Sequence, residues 1–283
     1  MILEAQKLHY TYSDGTIALQ GIDMGIPSGQ FAILLGPNGS GKTTLFKAIT
    51  GLIKPGRGEV RVDGRPFREY KKEELYRRIG FVFQDPNDQL FAPTVGEDVA
   101  FGPVNLGLAT AEVTKRVKES LELVGIPHLV AKPIHYLSYG QKKRVSIAGV
   151  LAMRPTVIIL DEPTAGLDPA GVRDIMKLLV KLNKDEAITI LMATHDVDLV
   201  PLYADCVFIM FDGTIRLTGN PREVFAEKEI VRDAHLRLPR VAHLGEILIK
   251  KDKLSIENLP LTIGEARRMV VSAVRGEGSH DDW

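Results

Sequence analysis

Apolar positions in this chain form short unbroken runs that alternate with longer stretches of helical spacing. Phe31–Leu35 is a five-residue apolar run leading straight into Gly36 and reads as a buried strand. Residues 156–160 and 187–193 read the same way. Upstream, residues 1–35 alternate β-like runs with turn chemistry at Tyr12-Ser13-Asp14-Gly15 and Pro27-Ser28-Gly29. Residues 43–51 have helical character and stop at a glycine, and residues 58–83 predict strand, helix and strand, closing on IGFVFQ. Residues 94–153 are mostly helical, with Val113, Val117, Leu121 and Val124 spaced to share one face. Asp168-Pro169 opens a further helix, with Asp as N-cap and Pro at the first helical position. Residues 207–217 read as a strand and hairpin. Beyond about 226 the pattern thins. Thr262-Ile263-Gly264-Glu265 then supplies a capping box, and Ile263, Ala266, Met269, Val270, Ala273 and Val274 line one face of a last helix. The closing GEGSHDDW reads as a loose tail. Strands alternating with helices predict an α/β fold built on a mainly parallel sheet with helices on its faces.

Composition narrows the class without naming a function. The chain has 283 residues, 45% hydrophobic and 25% charged, as soluble globular domains do. Lys+Arg and Asp+Glu are both 36, so the net charge is zero and the basic footprint of a nucleic-acid binder is missing. The single Cys206 excludes an intrachain disulfide and a cysteine-based zinc site, and fits a reducing compartment. The N-terminal MILEAQKLHYTYSDG lacks the basic-then-apolar order of a leader, and no run approaches the roughly 18 apolar residues of a membrane span.

The chemistry begins after the first buried strand. Gly36-Pro37-Asn38-Gly39-Ser40-Gly41-Lys42-Thr43, followed by Thr44, fits G-x-x-x-x-G-K-[ST] between a strand and a helix. The glycines let backbone N–H groups turn toward phosphate oxygens, and the helix N-terminus adds its positive dipole end. Lys42 is expected to reach the β- and γ-phosphates of a nucleotide, and Thr43 to set its hydroxyl on Mg²⁺. A second anion-holding turn lies far downstream: Leu137-Ser138-Tyr139-Gly140-Gln141 opens a basic helix. Soon after it, the apolar run 157–160 ends in Asp161-Glu162. Asp161 suits a Mg²⁺ contact, and Glu162 can polarise a water beside a γ-phosphate.

Taken in order, these motifs resemble the nucleotide-binding subunit of ABC transporters over roughly residues 1–225. The resemblance rests on Tyr12, the loop at 36–43, Gln84, LSYGQ at 137–141, VIILDE at 157–162, AGLD at 165–168 and His195. It implies a P-loop ATPase core, an antiparallel β subdomain and a helical subdomain at about 86–153. Outside the resemblance, residues 226–283 are expected to form a small C-terminal segment that packs on the core or joins two copies. It implies two such subunits, identical or closely related, paired head to tail. Each ATP then lies between the P-loop of one subunit and the Ser138 turn of the other.

Further roles follow from the same resemblance. Tyr12 is expected to stack on adenine, with Tyr10 as its neighbour and competitor. Ser138, Gly140 and Gln141 are expected to face the partner's nucleotide, and Asp168 the dimer interface. Gln84 is expected at Mg²⁺ or the attacking water, His195 at the γ-phosphate, and Glu162 as the base. Tyr139 departs from the commoner glycine, and its Cβ is expected to point away from phosphate. The run QKKRVSIAGVLAM and DPNDQLF at 85–91 look like the subset serving cobalt/nickel and energy-coupling-factor uptake. The partners implied are a membrane permease and a substrate-capture subunit, with this chain peripheral on the cytoplasmic face, and the reaction is hydrolysis of ATP with Mg²⁺. A vitamin transporter of the energy-coupling-factor kind is the alternative solute class. A soluble ABC ATPase acting on nucleic acid or ribosomes is disfavoured, because this chain has one cassette and no sustained heptads. The remaining histidines show no metal-ligand spacing.

Overall fold

A computed structural model of the chain describes residues 1–253 and 258–275; the loose tail expected at 276–283 lies outside them. Among the described residues ten strands form two sheets. In chain order they are β1 (Leu3–Thr11), β2 (Ile17–Ile26), β3 (Phe31–Leu35), β4 (Arg57–Val62), β5 (Arg65–Pro66), β6 (Ile79–Val82), β7 (Val157–Asp161), β8 (Thr189–Thr194), β9 (Cys206–Phe211) and β10 (Thr214–Gly219). The larger sheet runs β10-β9-β3-β8-β7-β6, parallel except for the β9–β10 hairpin; the smaller, β2-β1-β4-β5, is antiparallel throughout.

The central strands are apolar without a break because both their faces are covered. Ile33, Leu35, Ile158, Leu160, Ile190, Met192, Val207 and Ile209 point into one core, and the alternate residues Ala32, Leu34, Val157, Ile159, Leu191, Ala193, Phe208 and Met210 into the other. A strand alternates sides every residue, so a run buried on both sides loses its polar positions. The second core is closed by the antiparallel sheet and by α1 (Lys42–Ile49), which supplies Leu45, Phe46, Ala48 and Ile49. The first is closed by helices. These are α3 (Val95–Asn105), α4 (Thr110–Leu123), α5 (Tyr139–Leu151) and α6 (Pro169–Lys184). A short α2 (Lys72–Tyr76) precedes β6.

Helix ends fall where the polar residues predict. Thr94 with Glu97, and Ser138 with Gln141, form capping boxes at the starts of α3 and α5. Asp168 caps α6, its carboxylate accepting from Gly171 N–H at 2.7 Å.

The C-terminal region carries more helix than the sequence pattern suggests. It contains α7 (Val200–Tyr203), α8 (Pro221–Ala226), α9 (Lys228–Asp233), α10 (Arg240–Asp252) and α11 (Ile263–Arg275). Val231, Ala234, Leu236, Leu238, Ala242 and Leu261 are buried in the same core as Ile209 and Val224. The segment therefore packs on the core of the larger sheet through these residues. Glu265 departs from the capping box expected for it: Thr262 Oγ1 accepts from Glu265 N–H, but the Glu265 carboxylate reaches Leu261 N–H at 2.7 Å.

Candidate functional site

Gly36 and Gly41 fix the shape of the phosphate loop. Gly41 caps α1 in the left-handed region at φ 102°, and a Cβ there would sit 2.6 Å from the Ala18 carbonyl oxygen. A Cβ on Gly36 would meet Met210 O at 2.5 Å and Ser40 Oγ at 2.6 Å. Only glycine fits so close an approach. The loop folds over Lys42, whose Nζ donates to Gly36 O at 2.8 Å and Pro37 O at 3.0 Å. Burial pushes the Lys42 pKa down, against the opposing pull of Glu162 and Asp161. Ser40 Oγ is buried and has no hydrogen-bond partner among the described residues.

Beside the loop, β7 ends in the two carboxylates. Asp161 accepts from Thr43 Oγ–H at 2.6 Å, and burial raises its pKa. Glu162 follows in the left-handed region at φ 45°, a conformation costing on the order of 1–3 kcal/mol for a non-glycine residue. That turn takes its side chain out of strand alternation. Its carboxylate meets His195 Nδ1 at 3.1 Å. If Glu162 is ionised, Nδ1–H is the donor, and a neutral ring then offers only an acceptor at Nε2.

These groups surround one cavity of about 390 Å³, whose walls include Tyr12, Asn38, Lys42, Thr43, Gln84 and Glu162. Tyr12 stands at its edge, hydroxyl on Thr44 Oγ1 at 2.8 Å and ring edge-to-face with Tyr10 at 5.0 Å. Tyr10 is the partly buried member of the pair and packs on the core. Gln84 is exposed at the end of β6. His195 is mostly exposed and joins the group through Glu162. Ile17 and Ala18 also line the cavity, and sequence reading passed over them. Ile17 is 59% exposed, and an exposed apolar residue opening a strand is the one signal it gives.

Ser138, Gly140, Gln141 and Asp168 are not in that lining. Ser138 and Gln141 cap α5 reciprocally at 3.3 and 3.1 Å, and both Ser138 and Asp168 are exposed. Tyr139 has helical, not positive, φ at the first position of α5. Its ring lies against Gly166, where a Cβ would meet the Tyr139 ring at 3.0 Å. Thus the side chain is turned onto the 165–168 turn.

The family follows from comparison with known proteins. The description "ABC transporter" matches residues 19–165. The chain is 56% identical over 276 residues to the energy-coupling factor transporter ATP-binding protein EcfA of Methanocaldococcus jannaschii, covering 97% of this chain and 98% of that one. The chain belongs to the ABC transporter family. Within it, the energy-coupling-factor ATP-binding proteins are its relatives: EcfA2 of Clostridium perfringens is 54% identical over 273 residues, covering 96% of each chain. Among solved structures, cbiO1 of Clostridium perfringens, part of the ABC transporter complex cbiONQ, superposes with a TM-score of 0.74 at 55% identity, covering 87% of this chain and 99% of that one. A dimeric ATP-binding cassette holding ADP and phosphate after hydrolysis superposes at 0.69 and 31% identity, covering 78% and 99%. This ABC subunit is an ATPase, and ATP is its ligand. Among the described residues, no helix is long and apolar enough to cross a membrane.

Proposed function

We propose that this chain powers an energy-coupling-factor importer from the cytoplasmic face of a membrane, as one of two ATPase subunits that close on ATP. The observation that carries this reading is the division of the motifs. Lys42, Thr43, Asp161 and Glu162 meet at one cavity, while the exposed Ser138 cap of α5 lies outside it. A helix N-terminus with a serine cap suits an anion, and the anion it suits is a second subunit's nucleotide. The curated relatives carry energy-coupling-factor names, which supports the transporter class.

The donor set fits a nucleotide with Mg²⁺. Thr43 and Asp161 present oxygens 2.6 Å apart, hard ligands of the kind Mg²⁺ takes, with Gln84 nearby in the same wall. Ser40 Oγ supplies a buried donor without a partner. Thr43, Asp161 and Gln84 would hold Mg²⁺, which would supply positive charge against the phosphates. Lys42 holds the β- and γ-phosphate charge, Tyr12 covers the adenine end, and Glu162 takes the proton of the attacking water. His195 can donate to a γ-phosphate only after leaving Glu162, or with both ring nitrogens protonated. Residues 1–225 act as the ATP-binding unit, with 86–153 as its helical subdomain and 226–283 as an appendage.

The permease contact belongs to an apolar groove of about 600 Å³ lined by Leu52, Tyr76, Phe81, Phe83, Phe91 and Phe101, among others. Phe91 and Phe101 are 64% and 50% exposed and stack edge-to-face at 4.6 Å. Asp98 holds the Phe91 turn by accepting from Phe91 and Ala92 N–H, both at 3.0 Å. Phe91→Asp is expected to weaken permease association by at least about thirtyfold, the scale of an aromatic hot spot, and to leave ATP hydrolysis by the free chain unchanged. Co-purification from detergent extracts checks the first, and phosphate release the second.

Tyr139→Gly tests the orientation of that ring. It is expected to change ATP-driven dimerisation by no more than about fivefold, the worth of about 1 kcal/mol of surface ring contact. A change of a hundredfold, read by light scattering, would put the ring at the nucleotide.

The solute is assigned by the sequence resemblance at 85–91 and 141–153 to cobalt or nickel. Pulling the tagged chain from its native membrane in mild detergent tests the whole assignment. A permease, a small capture protein and bound cobalt or nickel support it. A vitamin-loaded capture protein with a second, related ATPase moves the solute class to vitamins and makes the pair unlike. Ribosomes or nucleic acid in place of membrane proteins would overturn the transporter reading.

A further inference from the structure

The start of α5 reads KKR in sequence, and its three cations have different fates. Lys142 Nζ donates to Asn87 Oδ1 at 2.8 Å on the surface. Arg144 donates to Val124 O at 2.8 Å and pairs with Asp174. Lys143 is 1% exposed. Its ammonium donates to Gln84 O in a short hydrogen bond and to Glu162 O at 3.3 Å, with the Tyr139 ring 5.5 Å away. Burial pulls its pKa down to about 8, while Asp85, Glu162 and Asp161 pull it up. A buried ammonium is costly and persists where its protons are taken by close acceptors.

Both acceptors belong to the reaction site. Gln84 and Glu162 are walls of the nucleotide cavity. The Glu162 carbonyl also accepts from Ala165 N–H at 3.1 Å, so Lys143 and Ala165 together pin a residue at positive φ. Strained backbone of that kind holds only when its surroundings over-determine it. The turn after Gln84 is fastened to α5 once more: Gln89 accepts from Phe83 N–H at 3.2 Å and donates to Ser146 O at 2.9 Å. That turn leads to Phe91 and the apolar groove.

We propose that Lys143 is a positioning residue for ATP hydrolysis, tying the Ser138-capped helix to the backbone of Gln84 and Glu162 so that the hydrolytic carboxylate is aimed only while α5 is seated. The inference rests on the ATPase reading and adds a residue that touches neither phosphate nor water. It links three places with one ammonium: the turn offered to a partner's nucleotide, the segment leading to the permease groove, and the base. Movement of α5 would be felt first at the Glu162 carbonyl.

The test uses the full-length chain with Lys143→Met, which keeps the stem and removes the donors, and Lys143→Gln, which restores neutral N–H donors on a stem one atom shorter. Misplacing a reacting group by about 1 Å costs about 100-fold in rate. For Lys143→Met, kcat for Mg-ATP is therefore expected to fall about 10- to 100-fold, with KM and the affinity for a non-hydrolysable ATP analogue within about twofold. Lys143→Gln is expected to lie between Met and wild type in kcat, again with KM unchanged. Wild-type kcat in Lys143→Met overturns the inference. So does a KM that rises in step with the loss of rate, or a Gln variant no better than Met. If the Met variant does not fold, the Gln variant decides alone: kcat lowered at least threefold with KM unchanged supports the inference, and wild-type kcat or a raised KM sinks it. A wild-type chain that hydrolyses no ATP is a failure of the ATPase reading, and is seen before any variant is compared.

Discussion

Glu162→Gln is expected to bind ATP as the wild type does and to hydrolyse it about 10²–10⁴-fold more slowly, the scale of losing a general base. The substitution keeps size and shape and removes only the proton acceptor. Binding should survive because Lys42 and the loop glycines, not Glu162, hold the phosphates in this reading, and because the positive φ at Glu162 and its carbonyl contacts do not depend on the carboxylate. One compensating change is expected. His195 Nδ1 loses its carboxylate partner at 3.1 Å, so its ring is freer to turn toward phosphate. Slow hydrolysis with intact binding should then trap the closed pair. Gel filtration with light scattering in Mg-ATP should show a stable dimer for Glu162→Gln and a transient one for the wild type. A strictly monomeric variant in saturating Mg-ATP would sink the shared-site account. A variant that hydrolyses at the wild-type rate would move the base elsewhere in the cavity.

How much of this was legible from residues alone depended on whether the deciding contact was local. The buried strands Phe31–Leu35 and Val157–Asp161 were legible because two-sided burial strips a strand of polar residues, and the pattern needs no knowledge of what covers it. The caps at Ser138 and Asp168 were legible for the same reason: N-cap and first turn are neighbours in sequence. The pairing of β1 with both β2 and β4 was not, since it joins Leu3 to Ile26 and to Val62. Helices α9 and α10 were missed because their buried residues, such as Val231, Leu238 and Ala242, are few and sit among exposed charges. Glu265 was assigned to Thr262 by spacing, but its carboxylate accepts from Leu261 N–H, one residue further back, and also pairs with the distant Arg222.

In the candidate site, residue types and order were informative, and contacts were not. Thr43 and Asp161 meet although 118 residues separate them in the chain, and the resemblance named both without saying that they touch. Lys143 escaped notice because three successive cations look like a solvated helix face. Successive helical positions point about 100° apart, so neighbours in a run of three can have different surroundings, and here the middle one is buried.

Lys42→Ala is expected to lower affinity for ATP by at least about thirtyfold, the scale of removing one member of a buried charge pair. Two losses coincide. The phosphates lose an ammonium, and Asp161 and Glu162, both buried, lose the cation that balances them. An anionic ligand then approaches two uncompensated carboxylates. The second loss should be separable from the first. In Lys42→Ala with Glu162→Gln, one of those carboxylates is gone, so part of the affinity should return although no phosphate contact has been restored. Residues that share a charge network are expected to be non-additive in this way. Titration with a fluorescent ATP analogue measures all four proteins of the cycle. Additive losses would mean that Lys42 acts on phosphate alone. Near-wild-type binding by Lys42→Ala would place the nucleotide outside the 36–43 loop and end the reading built on it.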